Sequence, residues 1–567
     1  MENGIPLPHL TRLCYSSFGG NTMRLNDNEL NNKAQWERAG IKLPGFDRKA
    51  MVQATKTAPA WVHFGAGNIF RAFPAAIQQA LLEKGAANTG IVVAEGYDYE
   101  IIDALFNPCS NLSLLVTLKG DGSTEKAVIA SVAEALKADP ADKDFARLEA
   151  VFRNPSLQMA SFTITEKGYN LTSANDVYVP GVEQDFINGP AAPVSYIGKV
   201  AALLFRRYAA GALPISMVSM DNCSHNGDRL HDAVLAFAHK WQENGKADAG
   251  FTAYLEDRSK VGFPWSMIDK ITPRPDQSVM EMLTRDGFEA EGHVTAKGTF
   301  IAPFVNAEET QYLIIEDAFP NGRPALERGG VIITSRETVD MVEKMKVCTC
   351  LNPLHTALAV FGCLLGYTRI SKEMENPNLV RLIEGIGYRE GLPVVTDPGI
   401  IKPKDFIDQV IRVRLPNPFM PDTPQRIATD TSLKIPIRFG ETIKAYLAGK
   451  AAGLTVDNLT LIPLVLAAWL RYLMGIDDEG EPFEVSPDPL YPDLSPGLEK
   501  IELGRKEPFH EILRPILSDA AIFGVNLYEA KLVPGGNLGE KVEAYFEELV
   551  TGPGAVAAVL KKYTGKS

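Results

Sequence analysis

The chain has 567 residues, 45% hydrophobic and 22% charged, an ordinary balance for folded domains and enough length for two or more of them. Lys and Arg number 57 against 70 Asp and Glu, a net charge of −13. That excess of acid argues against non-specific binding to nucleic acid or an anionic membrane, and it means an anionic substrate would have to be held by local basic residues. No apolar run reaches the roughly 20 residues a membrane helix needs, and the N-terminal MENGIPLPHLTRL lacks the basic-then-apolar order of a secretory signal, so a cytoplasmic location is expected.

Residues up to about 57 mix polar and short apolar pieces and read as an extension packed on the body. From Ala58 onward, short β-rich runs (Ala60–Phe64, Gly90–Ala94, Gln158–Thr165, Leu213–Met220) alternate with helical ones such as Ala72–Lys84, which predicts an α/β, Rossmann-type doubly wound parallel sheet over residues 58–333. WVHFGAGNIFRAF places Gly65-x-Gly67 after a strand and before a helix, the setting in which backbone N–H groups reach a pyrophosphate. Gly65, Gly67, Asn68, Ile69, Phe70 and Arg71 are therefore the expected cofactor contacts, although Phe70 stands where a third small residue would let helix and strand approach. The second strand ends at Glu95-Gly96-Tyr97-Asp98. A carboxylate there, Glu95 or Asp98, would accept hydrogen bonds from the adenosine ribose diol and repel a 2′-phosphate, favouring NAD over NADP; the plain alternative is a solvated loop acid.

From about Thr334 the pattern turns mainly helical, which predicts a second domain over residues 334–567 with the chemistry at the seam. Thr334-x-x-Glu337 reads as a capping box, Leu459–Met474 and Gly539–Val550 have helical apolar spacing, and the proline-rich Glu481–Pro496 reads as a surface loop. The stretch Lys346-Val347-Cys348-Thr349-Cys350-Leu351-Asn352-Pro353-Leu354-His355 supplies a lysine, an amide and an imidazole. Asn352 and His355 would share a helix face. A lysine at a domain junction, its pKa lowered by desolvation, is a candidate general base for a carbinol proton; a solvated helix lysine is the plainer reading. Asn352 before Pro353 reads as an N-cap, which puts His355 in the first turn of a helix over Leu354–Tyr367, where the positive dipole end favours neutral imidazole. Six cysteines, Cys14, Cys109, Cys223, Cys348, Cys350 and Cys363, are too few and scattered for a disulfide framework, and Cys348-x-Cys350 lacks partners to complete a zinc site, so no metal is expected.

HFGAGNIFRAF, TITEKGY (163–169), SMDNCSHNGDRL (219–230), FPWSMIDKITP (263–273) and KVCTCLNPLHTALA (346–359), in this order, resemble the polyol-specific long-chain dehydrogenases, the mannitol dehydrogenase family, over about residues 58 to 440. The resemblance implies a metal-independent, NAD(P)-linked oxidation of a secondary alcohol in an open-chain sugar derivative. It maps the general acid/base to Lys346 and the groups that hold the reacting oxygen to Asn222, Asn352 and His355. It also places Asp269 near the substrate hydroxyls, and Arg426 and Lys434 of QRIATDTSLKIP along the substrate pocket. Lys346 and Asn352 are six residues apart, one more than the family typically has, which leaves Lys344 as an alternative base. The wording KVCTCLNPLHT looks most like the hexuronate-reducing members. D-mannonate and D-fructuronate with NAD are thus the expected pair, a carboxylate substrate giving Arg426 and Lys434 a direct role. Mannitol with fructose and altronate with tagaturonate are the alternatives, and from other classes an NAD-dependent epimerase or a nucleotide-sensing protein; a monomer or small homo-oligomer is expected.

Overall fold

Six short runs form a parallel sheet: β1 (Trp61–Phe64), β2 (Ile91–Glu95), β3 (Val132–Lys137), β4 (Met159–Phe162), β5 (Ile215–Ser219) and β6 (Val261–Gly262). They are hydrogen-bonded in the order β3-β2-β1-β4-β5-β6, the doubly wound arrangement that the alternation of strands and helices predicts. β1, β2, β4 and β5 are buried at every position, as a sheet covered on both faces requires. The strand order reverses between β1 and β4, so a crevice opens at their carboxyl ends. This description rests on a computed structural model that describes residues 22–173, 175–505, 509–533 and 535–565; Cys14 and the first part of the extension lie outside them.

Helices α1 (Asn68–Ala72) and α2 (Pro74–Glu83) follow β1. The helix expected over Ala72–Lys84 is α2; it starts at Pro74, and α1 is a separate short helix before it because Phe73 leaves helical geometry and Pro74 offers no N–H. α3 (Tyr196–Ala209) and α4 (Asn226–Glu243) flank β5. Three smaller sheets were not foreseen from sequence, one of them only the two-stranded pair His293–Val294 and Phe300–Ile301. In the first of the other two, Ile41–Lys42 of the extension pairs with Thr124–Ile129, which pairs with Ser113–Leu118 and then Phe304–Glu308. The second joins Ser266–Asp269, Tyr312–Glu316 and Ile332–Thr334.

That last sheet makes the seam. Met267 and Ile314 belong to the core of the helical domain, whereas the alternating Ile268, Leu313 and Ile315 belong to a core of the nucleotide domain. Period-two alternation thereby welds the two domains through one set of strands. The helical domain opens with α5 (Arg336–Met345), passes through a π-helical turn at Lys346–Cys350 and continues as α6 (Asn352–Leu364). α7 (Leu461–Tyr472) and α8 (Leu538–Leu549) lie close to the ranges predicted by apolar spacing. The helical stretch Arg336–Leu364 is 29 residues long and apolar enough to cross a membrane, yet 72% of its apolar window is buried against the rest of the protein, the mark of a core helix. Three local expectations are corrected. Ser335, not Thr334, caps α5, because Thr334 is held in the strand. Leu351 occupies the cap position of α6 and Asn352 is its first helical residue. The last part of the proline-rich stretch is a helix, Tyr491–Leu498, rather than loop.

Candidate active site

At the carboxyl end of β1, Gly65 has φ +103°, and a Cβ there would lie 2.3 Å from the Thr163 carbonyl oxygen, so the turn can be built only with glycine. A Cβ on Gly67 would meet nothing within 4 Å: that face of the turn is open, as close approach of a pyrophosphate requires. Asn68 and Ile69 are half-buried beside it. Phe70 and Arg71, expected among the cofactor contacts, turn inward instead. Phe70 is fully buried and stacks on His63 with ring centroids 4.4 Å apart, filling the space that a small residue would leave. The buried Arg71 guanidinium donates to Ser113 Oγ (2.9 Å) and the Ala302 carbonyl (2.8 Å), tying α1 to the neighbouring sheet.

Glu95 and Asp98 also differ from the free ribose acceptors expected of them. Glu95 is buried, and its carboxylate accepts the N–H groups of Ala66 (2.9 Å), Tyr97 (2.8 Å) and Asp98 (3.1 Å), so it shapes the glycine turn from the adjacent strand. Asp98 accepts the Thr295 hydroxyl at 2.7 Å. A third carboxylate, missed in the sequence, does similar work at the end of β5. Asp221 accepts from Ile164 N (2.8 Å), Thr165 N (2.9 Å) and Tyr169 Oη (2.6 Å). It fixes Thr165 at φ +65°, a conformation a β-branched residue adopts only when held there. Its neighbour Asn222 thereby enters the crevice from the same end of the sheet as the glycine turn.

Asn222, Lys346 and Asn352 meet in a cleft of about 270 Å³, bounded also by Ser266, Ile268 and Val347. Lys346 is 5% exposed. Its ammonium lies 3.1 Å from Asp269 Oδ1 and donates to Asn222 Oδ1 and the Ile268 carbonyl, both at 3.3 Å. The π-helical turn accounts for the extra residue between Lys346 and Asn352, because such a turn inserts one residue into a helix without moving the flanking faces apart. Lys344, the alternative base, is directed outward and pairs with Asp340 at 2.6 Å.

Asp269 does not reach into open space. Arg414 grips it at 2.6 and 3.1 Å and, with its remaining donors, grips Glu308 at 2.9 and 3.0 Å. Burial would push the Asp269 carboxyl up, but Lys346 and Arg414 together hold it below the usual carboxylate range. Two cations and two acids therefore balance in a nearly dry cluster. Arg414 and Glu308 carried no signal in the sequence, since neither sits in a matching phrase.

His355 lines a second, smaller cavity of about 50 Å³ with Leu351, Arg414, Ser371 and Asp422, so Asn222 and His355 do not line one pocket as expected, although the two cavities meet at the neighbouring residues Leu351 and Asn352. Burial lowers its imidazole to about 4 despite the Asp422 carboxylate 3.8 Å away, and it is neutral at neutral pH. Arg426 and Lys434 are not on the 270 Å³ cleft. Arg426 is exposed and paired with Asp422, while Lys434 donates to the carbonyls of Ile427 and Thr429. Among the described residues no cluster of His, Cys, Asp and Glu is arranged to hold a metal, and Cys348 and Cys350 are free thiols that burial pushes up.

Residues 59–328 match the model of the mannitol dehydrogenase Rossmann domain and 338–534 that of the mannitol dehydrogenase C-terminal domain. The D-mannonate oxidoreductase of Thermotoga maritima is 53% identical over 547 residues, 96% of this chain and 99% of that one. Mannitol 2-dehydrogenase of Cereibacter sphaeroides is 29% identical over 78% of this chain and 85% of its own length. A solved complex of Pseudomonas fluorescens mannitol 2-dehydrogenase with NAD and D-mannitol superposes with TM-score 0.66 at 26% identity, covering 96% of this chain and all of that one. A substrate-free D-sorbitol dehydrogenase gives TM-score 0.75 at 25% identity over 92% of this chain and 98% of its own. A glycine turn at the switch of a doubly wound sheet, a buried lysine between two amides at the seam, and two matching domain models in this order establish that the chain belongs to the mannitol dehydrogenase family.

Proposed function

We propose that the protein interconverts D-mannonate and D-fructuronate with NAD, without a metal. The observation that carries the reading is the Lys346 ammonium placed between Asn222 and Asp269 at the wall of a cleft that Asn352 also lines; the 53% identity to a D-mannonate oxidoreductase supplies the substrate class. NAD, held at Gly65, Ala66, Gly67 and Asn68, supplies the hydride donor or acceptor.

The rest follows from the side chains. The Asn222 carbonyl oxygen accepts from Lys346, which leaves its NH2 group as donor towards the reacting oxygen, and the Asn352 amide provides a second donor. In the direction of reduction Lys346 gives its proton to the forming alkoxide; in the direction of oxidation the neutral amine takes it back. Asp269 pairs with the ammonium, and because Arg414 also pairs with Asp269, the carboxylate stays matched when Lys346 is neutral. The motion of one proton therefore leaves no bare charge in the cluster.

An NADH-oxidation panel with D-fructuronate, D-tagaturonate and D-fructose tests the reading. D-fructuronate should show the highest kcat/KM, and a preference for D-fructose would overturn it. Lys346→Ala should lower turnover by about 10²–10⁴-fold with NADH affinity kept; near-normal turnover would remove Lys346 from the chemistry.

A further inference from the structure

Arg438 is half-buried and differs from the buried arginines among the described residues. Its Nη1 donates to Thr356 Oγ1 at 2.5 Å, and it has no ion pair to an acid among the described residues. Arg71, Arg207 and Arg471 also lack acids, but they direct their donors to backbone carbonyls, Arg207 to five of them. Arg414 has two carboxylates, and even the exposed Arg426 has one. Burial alone lowers the Arg438 guanidinium to about 10, still charged at neutral pH. A half-buried cation with no acid beside it and with N–H groups still open to solvent is a ready anion site.

Its position says which anion. Thr356 is one helical turn beyond Asn352 on α6, about 6 Å along the axis. His355 lies beside it with Nε2 buried and without a hydrogen-bond partner, and Arg438 and Arg426 are close enough to oppose its protonation. In D-mannonate the carboxylate is four carbon–carbon bonds from the reacting carbinol, about 5 Å when extended. A substrate whose carbinol rests between Lys346 and Asn352 and whose chain runs along α6 reaches Thr356 with its carboxylate.

Resting on the reading above, we propose that Arg438, steadied by Thr356, binds the substrate carboxylate and makes the protein a sugar-acid rather than a polyol oxidoreductase, with the unpartnered Nε2 of His355 donating alongside. The planar guanidinium matches a carboxylate with two parallel hydrogen bonds.

The test compares wild type, Arg438→Lys and Arg438→Ala in D-fructuronate reduction, with NADH affinity and thermal midpoint measured for each. Arg438→Ala should lower kcat/KM for D-fructuronate by about 100-fold, chiefly through KM. Added guanidinium chloride should restore part of the loss and an equal concentration of urea none, a rescue that a purely structural role would not give. Arg438→Lys keeps the charge and should fall in between, which keeps the test valid should the alanine variant fail to fold. Unchanged KM in both variants, or a loss confined to kcat with no rescue, overturns the proposal. A wild-type enzyme inactive on D-fructuronate would instead sink the substrate assignment itself.

Discussion

The ionisable groups around Lys346 are buried and those packed along α6 are buried or half-buried, yet the two sets behave oppositely. Lys346, Asp269, Arg414 and Glu308 pair with each other, two cations against two acids, and the two cations hold the Asp269 carboxyl below its usual range. Glu373, His355 and Arg438 have no matched partner: both carboxyl oxygens of Glu373 and the Nε2 of His355 are buried without a hydrogen bond, and Arg438 has one hydroxyl. Burial therefore pushes Glu373 up to about 9 and His355 down to about 4, and both are neutral at neutral pH. Arginine has no accessible neutral form, so Arg438 is the one of the three that must wait for a ligand. Desolvation without compensation selects neutrality where the side chain permits it and a binding site where it does not.

The sharpest way to break this contrast is through pH at Glu373. Its folded pKa lies above the unfolded one, so its contribution is fully present below about 4.5 and is lost as pH rises through about 9, up to roughly 6 kcal/mol. Denaturant midpoints of wild type should fall between pH 5 and pH 9, and those of Glu373→Gln should fall much less. On the balanced side, Asp269→Leu leaves Lys346 and Arg414 facing Glu308 alone and should lower stability by about 3–5 kcal/mol in urea titration. His355 has the opposite sign to Glu373: its folded pKa is depressed, so stability present above 6.5 is lost as pH falls through about 4, roughly 3 kcal/mol in all, and His355→Asn should flatten the acid limb of the stability profile. Smallest is Asp422→Asn, which breaks a pair to an exposed arginine and should cost about 1 kcal/mol or less by the same measurement.

Much of this was legible in the linear text, and the reasons are local. Strands β1, β2, β4 and β5 are continuous apolar runs with turn residues beside them, and α6 to α8 carry helical apolar spacing, so each element announces itself. Gly65, Asn222, Lys346 and Asn352 lie in phrases where residue type and neighbourhood suffice. What escaped depends on distant pairing. Ser113–Leu118 meets Phe304–Glu308 across nearly two hundred residues, and nothing in RVRLPNP marks Arg414 as the clamp on Asp269. Glu95 and Arg71 were read from their positions beside the turn, but direction decides their role: Glu95 folds back onto the backbone of its own loop and Arg71 points into the neighbouring sheet. Arg426 and Lys434 were chosen as cations near the pocket, but Arg426 is taken by an acid and Lys434 by carbonyls, whereas Arg438 has only the Thr356 hydroxyl among the described residues, a distinction that only coordinates draw.

The wide turn between α5 and α6 sets a rule for how this chain can vary. Each residue in an α-helix turns the chain by about 100° and advances it 1.5 Å, so the residue added in the wide turn at 346–350 is the one place where the count can change while the ammonium and the amide stay on one face. A single deletion that removes the bulge whole and restores regular geometry should be accepted there, whereas one residue added or removed within α5 or α6 proper would swing one group away from its counterpart.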